Sequence, residues 1–230
     1  MPLNIAVIAS GDGSNFQAIV EKVHAGFLDV AVRVLICNRP GAGVIARAQA
    51  FGIPCVLLDH EDKSRFSDRV SFDQAMIEAI RQYGADWVVL AGYMRLLTPE
   101  FLNAFPDRVL NIHPTLLPSF PGLHGCADAL AYGVKIAGAT VHFVEEAVDS
   151  GPVIIQAAIP IAPGDTLGSI TRRIHEIEHR IYPQALQWIA TGRLTRMRDN
   201  SRTIVIHPAM HSRGYEEPCC LISPPLEEGF

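Results

Sequence analysis

The chain has 230 residues, long enough to bury one substantial core without disulfides. Apolar residues make up 49% and charged residues 19%, the balance of an ordinary globular protein, and a formal net charge of −5 argues against nucleic acid or an anionic membrane as the main partner. The cysteines Cys37, Cys55, Cys126, Cys219 and Cys220 are scattered and fit reduced thiols. With apolar runs no longer than a strand and no signal-like N-terminus, they lead us to expect a cytoplasmic protein.

Short β-rich apolar runs alternate with segments of helical period from the start. Asn4 to Ala9 predicts a strand, with a helix from about Ser14; Ala31 to Cys37 is followed by Val44 to Phe51. Cys55 to Leu58 leads to a helix over Phe66 to Tyr83, and Asp86 to Ala91 leads to a short helix that Thr98 caps and Pro99 opens. This is the rhythm of a parallel sheet. A strand over Arg108 to Ile112 then enters a proline-rich loop, a helix near Ala127 to Tyr132, strands over Ala139 to Glu145 and Val153 to Ile159, and a helix from Thr166 to about Ile189. The sheet is therefore expected to be mixed. Leu167, Ile170, Ile174, Ile177 and Ile181 give the last helix one apolar face for packing. Beyond Gly192 the pattern degrades through Asp199-Asn200-Ser201-Arg202 and a short apolar run, Thr203 to Ile206. We expect a single domain over residues 1–199 and an appendage over 200–230, partly disordered.

Chemistry concentrates at four places. The first strand runs into Ser10-Gly11-Asp12-Gly13-Ser14-Asn15 and a helix, whose free amides suit a phosphate. An adenine dinucleotide fits less well, because Phe16 replaces the third glycine of the fingerprint and Cys37-Asn38-Arg39 offers no acid for a ribose, although Arg39 leaves a phosphorylated ribose open. The segment from Asn111 to His124 presents an amide and an imidazole on a loop stiffened by Pro114, Pro118 and Pro121. Asn111 can donate to a developing oxyanion and His113 can move a proton near neutral pH; their i, i+2 spacing on a strand turns both side chains to one side. Asp149, in a turn before Ser150-Gly151-Pro152, is a candidate partner for His113, and a turn-forming role is its competing explanation. Leu90 to Leu97 ends a buried strand with Met94, Leu96 and Leu97, able either to hold a flat heteroaromatic ligand or to pack the core.

Two patterns compete with these. His175-Glu176-Ile177-Glu178-His179 matches the H-E-x-x-H zinc motif, but its isoleucines belong to the packing face and no third ligand is evident, so no metal is expected. Cys126 near His124 is a nucleophile pair without an orienting residue.

Gly11-Asp12-Gly13-Ser14-Asn15-Phe16-Gln17-Ala18-Ile19, Leu90-Ala91-Gly92-Tyr93-Met94-Arg95, the Asn111 to His124 segment, Val141-His142-Phe143-Val144 through Asp149-Ser150-Gly151-Pro152, and Glu178-His179-Arg180-Ile181-Tyr182-Pro183 together resemble the folate-dependent phosphoribosylglycinamide formyltransferases of purine synthesis. The resemblance covers about residues 3 to 195. It implies a Rossmann-like α/β fold, the formyltransferase fold: an open twisted sheet, mostly parallel with antiparallel C-terminal strands, and helices on both faces. The N-terminal half would carry the phosphate site and the C-terminal half the folate and catalytic site. It further implies that Gly13, Ser14 and Asn15 hold the phosphate of glycinamide ribonucleotide, with Pro114, His175 and Glu178 along that substrate and Glu178 on its ribose. Arg69, Met94, Arg95, Leu96, Leu97 and Asn111, with Glu145, Glu146, Ala147, Val148 and Asp149, would contact the co-substrate 10-formyltetrahydrofolate. Asn111, His113 and Asp149 match the catalytic trio. Both partners are small molecules, with a monomer or homodimer expected. Three places depart from the family pattern: Gly125-Cys126, where a His is common; His175, where an amide is common; and the tail beyond 200.

The expected reaction is attack of the substrate amine on the formyl carbon, with Asn111 and protonated His113 holding the oxyanion and Asp149 sustaining the imidazolium. Proton transfer to the leaving nitrogen is expected to pass through water. The alternatives are a hydrolase releasing formate with the same trio, and a silent nucleotide- or folate-binding regulator.

Overall fold

Strand β1 (Leu3–Ala9) sends Ile5, Val7 and Ala9 into one apolar cluster and Ala6 and Ile8 into another, as a strand covered by helices on both faces must. In the computed structural model, which describes residues 1–197, 202–207 and 220–230, this strand lies inside an eight-stranded sheet. Its parallel part is β3 (Cys55–Leu57), β2 (Val30–Cys37), β1, β4 (Trp87–Leu90) and β5 (Val109–His113), in that spatial order. Next to β5 come β6 (Ile136–Phe143) and β7 (Val153–Pro160), both joined by antiparallel ladders. The fold is thus α/β, a mixed open sheet that is mostly parallel with antiparallel C-terminal strands. Chain order reverses between β1 and β4, and their carboxyl ends form the crevice where open sheets of this kind bind ligands.

Helices α1 (Ser14–His24), α2 (Gly43–Ala50) and α6 (Leu167–Ala190) cover one face through Phe16, Ile19, Val44, Ile170, Ile174, Ile181 and Trp188. Helices α3 (Arg69–Gln82) and α4 (Pro99–Ala104) cover part of the other through Phe72, Met76, Ile80 and Phe101. The α5 helix (Gly125–Tyr132) packs beside α6. Tyr182 of α6 is buried and its hydroxyl lies 3.0 Å from the Leu90 carbonyl and 3.2 Å from that of Leu110, tying α6 to β4 and β5 just below the crevice.

Several boundaries differ from expectation for local reasons. Helix α3 starts at Arg69 rather than near Phe66, because Asp68 and Ser71 form a reciprocal capping box. Strand β5 runs to His113, so that residue belongs to the ladder and not to the following loop. Strand β6 stops at Phe143, leaving Val144 and Glu145 in the loop before β7.

In the tail, Ile204–Ile206 (β9) pairs antiparallel with Leu194–Arg196 (β8), and Leu221–Ser223 (β10) adds an antiparallel edge strand to β7. Neither β8 nor β10 is foreseen from sequence. Glu227 then accepts from the Trp188 indole at 3.1 Å and its amide donates to Gln184 Oε1 at 2.7 Å, while the Phe230 ring meets Phe27 edge to face. Residues 198–201 and 208–219, with Asp199 and Cys219, lie outside the described residues, and with them the disorder expected there. Among the described residues no helix is long and apolar enough to cross a membrane.

Candidate active site

Alternation along β5 and β6 makes the centre of the site. Leu110 and Ile112, like Val141 and Phe143, enter the large apolar cluster, so Asn111, His113, Thr140 and His142 turn to the opposite face. Asn111 stands opposite His142 and His113 opposite Thr140 in the antiparallel ladder. The resulting polar stripe is roofed by the loop after β5. Thr140 Oγ1 donates to the Thr115 carbonyl at 2.7 Å and accepts from the Leu117 amide at 3.1 Å, while Gln156 Nε2 lies 2.9 Å from both Thr140 Oγ1 and the Leu117 carbonyl.

The hydrogen bonds assign protons. His142 Nδ1 donates to the Phe143 carbonyl at 2.7 Å, which leaves Nε2 to accept from Asn111 Nδ2 at 3.2 Å. Burial holds His142 below the ordinary histidine value, against the smaller opposing pulls of the Phe143 carbonyl and Asp149, so the neutral ring fits the pairing. Asn111 is thereby held with its carboxamide oriented. His113 has acceptors on both edges: Nε2 is 3.0 Å from the Phe120 carbonyl and Nδ1 is 3.5 Å from Asp149 Oδ2. Asp149 itself adopts a left-handed backbone, φ 47, and accepts from the Gly122 amide at 2.7 Å. The carboxylate therefore joins two loops as well as facing the imidazole, so its turn-forming role and its pairing role coexist.

Gly125 explains how the roof comes so close. A Cβ there would lie 2.3 Å from Thr115 Cγ2 and 2.9 Å from the Phe120 oxygen. Cys126, the departure beside it, donates its thiol to the Pro114 carbonyl at 3.4 Å. Burial and then the charge of Glu178 push that thiol up to about 11, which disfavours the thiolate that a nucleophile needs.

In front of the trio lies a cavity of about 380 Å³. Met94, Arg95, Leu96 and Leu97 line one side, Asn111, His113 and Pro114 another, and Glu145, Glu146, Val148 and Asp149 the loop side. Met94 is 50% and Leu96 55% exposed, so both stand on the cavity wall and not in the core, while Leu97 also packs against the apolar cluster that holds Phe72 and Met76. Arg69 does not line the cavity: it opens α3 at an exposed position, where its charge acts on Asp73 and Tyr93. Ala147 is exposed between its lining neighbours, and its carbonyl accepts from Ser150 Oγ at 2.7 Å.

A second centre forms at the turn after β1. Gly13, with φ 85, caps α1 without a side-chain bond, and the first turn carries no acid, so nothing from the cap or that turn competes for its free amides or offsets the positive end of the helix. Only glycine fits, since a Cβ would lie 2.5 Å from Val44 Cγ2. Asn15 Nδ2 donates to Glu178 Oε2 at 2.8 Å, joining this turn to α6. Glu178 is 4% exposed, and burial raises its carboxyl to about 7 against the smaller effect of the Asn15 bond. His175 is exposed on the same helix and stacks on His179, whose charged neighbours also include Glu176, Glu21 and Arg47. Among the described residues no group of three His, Cys, Asp or Glu side chains could hold a metal. The sequence carries no sign of the bond between Asn15 and Glu178 and assigns His142 no role, although the place of His142 one strand from Asn111 is implied once β5 and β6 are paired.

The formyl transferase family matches residues 3–186 of the chain. The phosphoribosylglycinamide formyltransferase of Bacillus subtilis is 46% identical over 182 residues, covering 79% of this chain and 92% of its own length. That of Escherichia coli is 42% identical over 199 residues, covering 86% and 92%. The crystal structure of glycinamide ribonucleotide transformylase 1 from Symbiobacterium toebii superposes with a TM-score of 0.85 at 45% identity, covering 89% of this chain and 94% of that one. With a family match across most of its length and relatives this similar over almost their whole length, the chain belongs to the formyl transferase family, among the phosphoribosylglycinamide formyltransferases.

Proposed function

We propose that the chain transfers the formyl group of 10-formyltetrahydrofolate to the amine of glycinamide ribonucleotide, yielding formylglycinamide ribonucleotide and tetrahydrofolate in de novo purine synthesis. The observation that carries this reading is the convergence of Asn111, His113 and Asp149 on the wall of an apolar cavity of ligand size. Exposed Met94 and Leu96 suit the flat pterin, and Glu145 to Asp149 form the facing loop.

The ribonucleotide lies between the two centres, its phosphate on Gly13, Ser14 and Asn15 and its ribose by Glu178, with His175 and Pro114 alongside. An ionised carboxylate accepts on both oxygens, whereas the protonated acid turns one of them into a donor, so ribose hydroxyls that donate to Glu178 favour its charged form. At the reacting end the amine attacks the formyl carbon and its electrons move onto the formyl oxygen. Asn111 donates to that oxygen with the amide hydrogen not used on His142. His113 keeps Nε2 on the Phe120 carbonyl and turns its Nδ1 proton toward the oxygen from beside Asp149. Collapse expels the folate nitrogen, which takes a proton passed from the amine through water.

The test is to combine the protein with both substrates and follow products. Tetrahydrofolate that forms only when ribonucleotide is consumed supports transfer. Formate released without ribonucleotide consumption identifies a hydrolase, and binding without turnover identifies a regulator.

A further inference from the structure

We propose that Arg47 of α2 is a positioning residue for the turn Gly11 to Gly13, where it neutralises the carboxylate that Asp12 brings beside the bound phosphate. The inference rests on the reading of this turn as the phosphate seat. It begins from a conflict within the turn. The amides at the start of α1 favour an anion, yet the residue between the two glycines carries a negative charge, and like charges on one short turn repel.

Arg47 answers that conflict through three acceptors. Its Nη2 lies 2.6 Å from Asp12 Oδ2, its Nε donates to the Asp12 carbonyl at 2.8 Å, and its Nη1 donates to Gln17 Oε1 on α1. One planar guanidinium thus holds the side chain, the backbone and the helix that follows. The rest of α2 is fitted to the same turn. The Val44 amide donates to the Gly11 carbonyl at 3.2 Å, and a Cβ on Gly43 would lie 2.9 Å from Asp12 Oδ1. Folding stability does not account for the arrangement: the paired side chains are 31% and 71% exposed, and ion pairs so open to water add little. What the fork supplies is a fixed turn with its acid turned toward α2. Lysine, a single point charge, can neutralise Asp12 but cannot occupy all three acceptors in this plane.

Steady-state kinetics of Arg47→Ala, Arg47→Lys and the double variant Asp12→Asn/Arg47→Ala test the proposal, with inorganic phosphate as a competing probe. Arg47→Ala is expected to raise KM for glycinamide ribonucleotide about tenfold, leaving kcat and the KM for 10-formyltetrahydrofolate within about twofold. The inhibition constant of phosphate should rise in parallel, Arg47→Lys should recover part of the loss, and the double variant most of it. If phosphate fails to compete with ribonucleotide in the unaltered protein, the phosphate seat is misassigned and this proposal goes with it. If phosphate competes equally well in Arg47→Ala, the seat stands and Arg47 has no part in it. A double variant no better than Arg47→Ala, or a joint change in both KM values and kcat, refutes charge neutralisation.

Discussion

Replacing Glu178 with Gln removes a charge from a site that is 4% exposed while keeping an oxygen to accept from Asn15 Nδ2. Burial raises this carboxyl from 4.5 to about 7, so the folded protein holds the proton more tightly than the unfolded chain does. The stabilisation is complete below 4.5, falls as pH rises toward about 7, and is absent above it. A displacement of that size corresponds to on the order of 3 kcal/mol. Glu178→Gln has no proton to lose, so it should unfold at markedly higher urea than the unaltered protein at about pH 8, with the difference shrinking to near zero at about pH 4. The stabilised variant should also bind glycinamide ribonucleotide more weakly, since the acceptor for the ribose has lost its charge. Urea melts at several pH values, with calorimetric titration of the ribonucleotide, make the comparison. Two stability curves that run parallel across the whole range would refute the argument from burial.

Other perturbations probe the roof of the site. Gly125→Ala forces a methyl against Thr115 and the Phe120 oxygen and should destabilise the protein by about 1–3 kcal/mol while lowering kcat through the His113 support; thermal melts and steady-state rates check both. The Cys126 thiol, raised to about 11, should resist alkylation by iodoacetamide at about pH 8 in the folded protein and react after denaturation, as peptide mass mapping would show.

Much of this architecture is readable from local pattern because its causes are local. The spacing of Ile170, Ile174, Ile177 and Ile181 places one face of α6 on the sheet, although Leu167, read with them, is 44% exposed at the first turn; the i, i+2 pair Asn111 and His113 shares one side of β5 as alternation requires. The unread parts depend on distant partners. His142 gains its role from the antiparallel pairing of β6 with β5, and the fork of Arg47 on Asp12 exists only once α2 packs on the first turn of α1. Family likeness supplies Arg69 as a folate contact; it stands at the start of α3, beside the residues that line the cavity but not among them. The three-residue strands β8 and β10 lack the flanking βα rhythm that makes the equally short β3 readable, and the edge of β7 determines where β10 lies.

The proposed function requires that Asn111, His113 and Asp149 perform formyl transfer and do not merely shape the cavity. Single-turnover formyl transfer by His113→Ala, measured beside its dissociation constant for glycinamide ribonucleotide, tests it most directly. The expected rate is lower by about a hundredfold or more, with ribonucleotide affinity little changed. A near-normal rate, or a loss of affinity large enough to explain the slower turnover, would contradict it.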